Sequence, residues 1–228
     1  MNRFLRTLGQ GGPDRASKAE ILQHYQQGLQ DLLSTGRVTF LSQCRYLHSG
    51  RVVSLLNPAL EYKVTVRQKL VDATLTETKI PATNQPSFAV AAGVNFVPVN
   101  GLSHVARPWE RYCVVGGGKT GIDAVLHLLD HGMDPARISW IVSNDNWFVN
   151  RDMFDIFFSA DGMWSFMKPI LEASSRQEAL HNLERAGHLL RLDPGIEPQR
   201  CRGASVSREE LARLTRLGQI VRENSIIA

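Results

Sequence analysis

Gly116, Gly118 and Gly121 stand at the spacing G-x-G-x-x-G within YCVVGGGKTGID, residues 112–123. Each glycine answers a different demand. The first permits a tight turn out of a strand, the second lets the backbone approach a diphosphate, and the third allows a helix to pack closely on that strand. Amide hydrogens left free at the helix start, with the positive end of its dipole, then attract an anion. The chemistry expected of Gly116, Gly117, Gly118, Lys119, Thr120 and Gly121 is therefore the seating of a dinucleotide's diphosphate. A structural glycine turn without a ligand would use the same letters.

The ribose of such a dinucleotide should meet residues just after the next strand, where Ser143, Asn144 and Asp145 stand. Asp145 can accept hydrogen bonds from a 2'-hydroxyl, which favours NAD, whereas Arg151 can pair with the 2'-phosphate of NADP. Asn144 and Asp145 join the cofactor-binding set, and the choice between NAD and NADP stays open. Gly118-Lys119-Thr120 also invites a P-loop reading, but G-x-x-x-x-G-K-[ST] would place its first glycine at Cys113, inside the strand. That reading is set aside. Asp123 is expected in the first helical turn, where the dipole stabilises a carboxylate. His127 and His131 have the spacing of a metal pair, yet HLLDH lacks the glutamate of H-E-x-x-H, and solvated helix surface is the better reading. The aromatic run between residues 140 and 166 reads as core or domain interface, with a wall for a nicotinamide or isoalloxazine ring as the sharper alternative. No G-x-S-x-G elbow is present.

The elements that must position these residues follow from periodicity and punctuation. Residues 112–115 (YCVV) form a short apolar strand, and a helix runs from the glycine turn through Leu129, closed by His131-Gly132 and barred by Asp134-Pro135. A second strand spans 138–143 (ISWIVS). Strand, helix and strand in this order make a βαβ unit and demand a parallel sheet. Further on, Ser175 and Glu178 cap a helix through Leu190, Ser207 and Glu210 cap another through Leu217, and Ile220-Val221 opens a final strand. Upstream, Ser17 and Glu20 box the start of an amphipathic helix that Gly36 stops. The segments RVTFLSQ, RVVSLL and YKVTVRQKLVDAT, broken at Ser49-Gly50 and Asn57-Pro58, read as a three-stranded antiparallel meander. Residues 75–110 are irregular, with a short strand at 93–99.

The fold class expected is α/β: a Rossmann-like parallel-sheet nucleotide-binding domain with a smaller α+β part made of a helix and a meander. The domain reading is 1–80, a linker at 81–110, and 111–228. A chain of 228 residues can fold without disulfide or metal staples. Its 26 Lys and Arg against 22 Asp and Glu leave a net charge of +4, too small and scattered to argue for nucleic acid. Cys44, Cys113 and Cys201 are odd in number and contain no C-x-x-C, which reads as reduced thiols in the cytoplasm. No secretory signal and no membrane span are expected.

With YCVVGGGKTGID, ISWIVSNDNW, RGASVSREEL at 202–211 and a strand ending Val71-Asp72-Ala73-Thr74, the chain resembles the two-dinucleotide-fold flavoproteins. More specifically, it is similar to the FAD- and NAD(P)-binding oxidoreductases related to flavin-containing monooxygenases. The resemblance covers most of the chain from about Ser17 and is most specific over 112–150. It implies a nicotinamide domain inserted into an FAD domain, with hydride passing from NAD(P)H to FAD. Gly116, Gly118, Gly121 and Thr120 carry over as diphosphate contacts. It also implies an unidentified small-molecule substrate and is compatible with a homo-oligomer.

The departures are specific. Nothing upstream of Gly116 supplies the strand and glycine turn that grip the FAD diphosphate, since Gly9, Gly11 and Gly12 have the wrong spacing. The chain also stops where the family returns to complete its FAD domain. It reads as the interior of a larger flavoprotein or a shortened relative, with an incomplete FAD site. Asn144 stands where the family usually carries a basic residue after the second strand. No side chain is assigned an acid or base role. The other reading is a non-catalytic NAD(P)-binding module without its own flavin site.

Overall fold

A computed structural model describes residues 16, 18–47, 50–73, 83–105 and 109–222, which divide into two compact units, Met1–Thr78 and Lys79–Ala228. Ser17, Ser49, Thr74 and the early glycines of the sequence reading lie outside the described residues.

The first unit holds one helix and one meander. Helix α1 (Lys18–Ser34) ends at Gly36, whose φ of 66° is the left-handed conformation of a helix stop. Strands β1 (Cys44–Leu47), β2 (Arg51–Ser54) and β3 (Glu61–Lys63) pair in that order, both pairs antiparallel. The meander is present, but its first and last strands differ from the expectation. RVTFLSQ is irregular, because Gln43 takes a φ of 51° and breaks the extended run before Cys44. Residues 71–73 lie beyond the ladder, and Val71 is 81% exposed, so the expected strand ending there is not formed. Arg51 donates from Nε and Nη2 to the two carboxylate oxygens of Glu61, a forked pair across the sheet that holds the Glu61 carboxyl below its ordinary range.

The second unit is mixed α/β. Residues 93–98, expected as a strand, are unpaired; the short helix α2 (Val99–Leu102) follows them, and Val99 and Leu102 pack on the unit's core. Strand β4 (Tyr112–Val115), helix α3 (Lys119–Asp130) and strand β5 (Ile138–Ile141) form the expected strand–helix–strand unit. β4 and β5 are parallel, with Tyr112 opposite Ile138 and Val115 opposite Ile141. Strand β6 (Asn146–Asn150), helices α4 (Phe154–Phe157), α5 (Ala160–Leu171) and α6 (Arg176–Arg185), strands β7 (Leu189–Leu190) and β8 (Arg200–Val206), helix α7 (Arg208–Leu214) and strand β9 (Gln219–Val221) complete it. β9 pairs parallel with β5, giving the three-stranded parallel order β4-β5-β9. A separate sheet, β7-β6-β8, is antiparallel on one side of β6 and parallel on the other.

The packing explains both the agreement and the differences. α3 buries Ile122, Val125 and Leu126 against Val114, Ile138, Trp140 and Val142, with Leu214 and Leu217 also in the cluster. Full burial of each such side chain contributes about 1.5–3 kcal/mol. The helix expected through Leu190 stops at Arg185, because Gly187 at φ 83° turns the chain and Leu189-Leu190 become β7. β6 and β8 are strands that local patterning does not announce. The aromatic run divides: Trp140, Trp147 and Phe148 are buried, whereas Phe158 and Trp164 are exposed.

Candidate functional site

β4 delivers the chain to Gly116, whose φ of 117° only glycine adopts readily, and the backbone turns there. Trp140, fully buried in β5, donates its indole N–H to the Gly116 carbonyl at 2.9 Å and holds the turn from beneath. Gly121 is the tightest point. A Cβ built on it would stand 1.9 Å from the Gly116 carbonyl oxygen, so the helix can lie this close to the turn only with glycine at that position. At Gly117 an added Cβ would stand 2.7 Å from Val142 Cγ1. Gly118 is the opposite case. It caps α3 with extended backbone and no side-chain cap, and a Cβ there would meet nothing within 4 Å. The first amides of α3 thus adjoin open space, with the dipole of a helix of 12 residues behind them.

The opening is a cleft of about 330 Å³, at the small end of the range that cofactor sites occupy. Three segments line it: the glycine turn from Gly116 to Lys119, the loop after β5 through Ser143, Asn144 and Asn146, and the strand β8 through Arg200 and Arg202. Both loops leave the carboxyl ends of adjacent parallel strands, where ligands of open parallel sheets bind. Asn146, buried, ties the two loops together by donating Nδ2 to the Gly117 carbonyl at 3.2 Å and to the Asn144 carbonyl at 3.1 Å. β8 reaches the cleft because Arg200 pairs opposite Asn146, and because the β6–β8 register shifts between Trp147 and Val149. The shift leaves Arg202, Gly203 and Ala204 opposite the single residue Phe148, with Gly203 at φ 71°.

Of the residues expected to bind a cofactor, Gly116, Gly117, Gly118, Lys119 and Asn144 meet in this cleft. Thr120 and Gly121 lie just behind, in the first turn of α3, and do not line it. Asp145 is buried and does not line the cleft; its Oδ2 accepts from Arg222 Nε at 3.0 Å, and its Oδ1 has no hydrogen-bond partner among the described residues. Arg151 Nη2 lies 2.7 Å from Glu210 Oε1 in a largely buried pair. Asp123 sits one turn further into α3 than expected, paired with Lys119. Arg200 and Arg202 were missed, since the signal that brings them here is the pairing of β8 with β6 rather than anything local.

The remaining chemistry-bearing groups stay apart from the cleft. His131 Nδ1 lies 2.8 Å from the His127 carbonyl, and burial, followed by the neighbouring His131, holds the His127 imidazole below its ordinary range. No group of three metal-ligating side chains occurs among the described residues. Burial raises the Cys113 thiol. No helix among the described residues is long and apolar enough to cross a membrane.

The chain is 36% identical over 219 residues to proteins of Mycobacterium tuberculosis and Mycobacterium bovis that are themselves described as uncharacterized. The match covers 93% of this chain and 40% of theirs, so the chain spans about two fifths of the length of these curated relatives. No family model and no solved structure matches it.

Proposed function

We propose that the unit 79–228 is a Rossmann-like NAD(P)-binding domain of a flavoprotein oxidoreductase. The observation that carries this reading is the open glycine cradle at the carboxyl ends of β4 and β5. Gly118 caps α3 with nothing within 4 Å of its missing Cβ, and Arg200 and Arg202 line the same cleft. The residues present suit a diphosphate: amide donors at a helix start, a glycine that admits it, and cationic side chains alongside. When bound, the nicotinamide supplies a hydride and a flavin accepts it; the chain's part is to bind and orient. Trp140 and Asn146 would hold the turn in its binding shape, and the first amides of α3 would donate to the phosphate oxygens. The flavin half of the reading rests on the sequence resemblance.

Gly118→Val tests the cradle. Its first added carbon meets no protein atom, so the variant should fold with an unchanged Tm, while the branched side chain takes the phosphate's place. Titration calorimetry with NADPH and NADH should show binding to the native chain and a loss of at least about 100-fold in the variant. Equal affinities would overturn the assignment. The non-catalytic reading predicts the same dinucleotide binding. It is separated by stopped-flow oxidation of NAD(P)H with added FAD: flavin reduction supports the oxidoreductase, and binding without flavin reduction supports the module.

A further inference from the structure

The sequence ADGMWSFMKPIL spreads apolar residues over an arc of α5 wider than its buried side. Phe166 and Ile170 pack inward on the cluster of Trp147, Leu183 and Leu189. Met163, Trp164, Met167 and Leu171 are exposed and fall within a neighbouring arc of about 100° at 3.6 residues per turn. α4 extends this surface. A Cβ at Gly162 would overlap the Ile156 carbonyl oxygen, so the two helices touch there, and Ile156 and Phe158 join the exposed set. These six side chains are between 37% and 65% exposed, and none of them lines the cleft. A surface helix ordinarily carries polar residues beyond its buried stripe.

We propose that this α4–α5 surface seats a second copy of the chain, with the two α5 helices antiparallel about a two-fold axis between Trp164 and Ser165. The area is sufficient. The six side chains leave on the order of 700 Å² open to solvent, close to the roughly 800 Å² that each partner gives to a stable interface. A two-fold contact uses the same patch on both copies, so one such surface is enough. Charge fixes the direction. Asp161 and Lys168 are exposed and stand two turns apart on one flank of the apolar stripe. Antiparallel packing about that axis brings Asp161 of each copy beside Lys168 of the other, and flanking pairs of this kind set the orientation of paired helices. Parallel packing would leave the two groups on opposite flanks. Within one copy Asp161 has no salt bridge among the described residues, and Lys168 reaches Glu172 only at 3.8 Å with both side chains exposed. A membrane surface fits less well, since interfacial helices carry a flank rich in Lys and Arg, and here one lysine stands beside Asp161 and Glu172.

Sedimentation equilibrium of the full chain from about 1 to 100 μM should show a dimer with a Kd in the micromolar range or tighter, as interfaces of this size give. Trp164→Glu with Leu171→Glu should raise that Kd at least about 100-fold. Far-UV circular dichroism should stay native, since both side chains stand in solvent in the single copy. Asp161→Lys alone, or Lys168→Asp alone, sets like charges at both flanking contacts and should weaken the dimer at least about 10-fold. Mixing these two variants re-forms both pairs in the heterodimer, and the mixture should recover the native affinity within about 3-fold. A chain that stays monomeric at about 100 μM would overturn the proposal, as would a dimer that survives Trp164→Glu with Leu171→Glu. A mixture no tighter than its parts would overturn the antiparallel pairing. Monomers that co-sediment with vesicles of phosphatidylcholine and phosphatidylglycerol would give the surface to a membrane and overturn the proposal equally.

Discussion

At the scale of single residues, the glycine turn contains two glycines that do opposite things. Gly118 leaves open space at the start of α3, and Gly121 removes space between a helix and a turn. Their substitutions should separate accordingly. Gly121→Ala would push a methyl group to 1.9 Å from the Gly116 carbonyl oxygen, a backbone atom that Trp140 also holds. Relief requires α3 to shift off the sheet, and overpacking of this kind costs about 3 kcal/mol. Thermal unfolding followed by circular dichroism should show a Tm lowered by roughly 10 °C in a unit of this size. A native Tm would mean that the turn yields cheaply and that the close approach is not what Gly121 serves. The sequence spacing named all three glycines of the turn. It could not show that Asp145 turns inward to Arg222, because that pairing joins residues that only the β5–β9 contact brings together.

At the scale of elements, α7 is held by more than its own cap. Ser207 accepts from the Glu210 amide at 3.1 Å, and Glu210 Oε2 accepts from the Ser207 amide at 3.0 Å, the reciprocal box that S-x-x-E announces. Glu210 also faces Arg151 from its other oxygen, with both side chains largely buried. Ser207→Ala loses one cap bond and should cost about 1 kcal/mol. Glu210→Ala also strands the Arg151 guanidinium, and should cost about 3–5 kcal/mol. Urea denaturation with an unchanged slope would compare them, and equal losses would show that the pair with Arg151 adds nothing. The same contrast marks what sequence could reach. α7, α3, β4 and β5 carry local signals: caps, a glycine turn, apolar runs. β8 reads RCRGASV with its first residues exposed, so neither alternation nor apolarity marks it, and it is a strand because β6 pairs with it. The cleft's arginines were illegible for the same reason.

At the scale of the whole molecule, the candidate site belongs to one unit and is wired into that unit's core. Trp140 is fully buried, pairs through β5 with both β4 and β9, and carries the carbonyl of Gly116 on its indole. A ligand seated on the turn therefore acts on the same cluster that stabilises α3. Binding to the folded form alone adds about 2.7 kcal/mol at a concentration 100 times Kd. Amides that exchange only on opening of the unit should then slow by about 100-fold. Hydrogen exchange with saturating NADPH should show that protection along β4, α3 and β5, strongest at the amides of residues 118–122. Absence of protection at 118–122, with slowing elsewhere, would place the ligand away from the glycine turn and remove the structural basis for a diphosphate seat there.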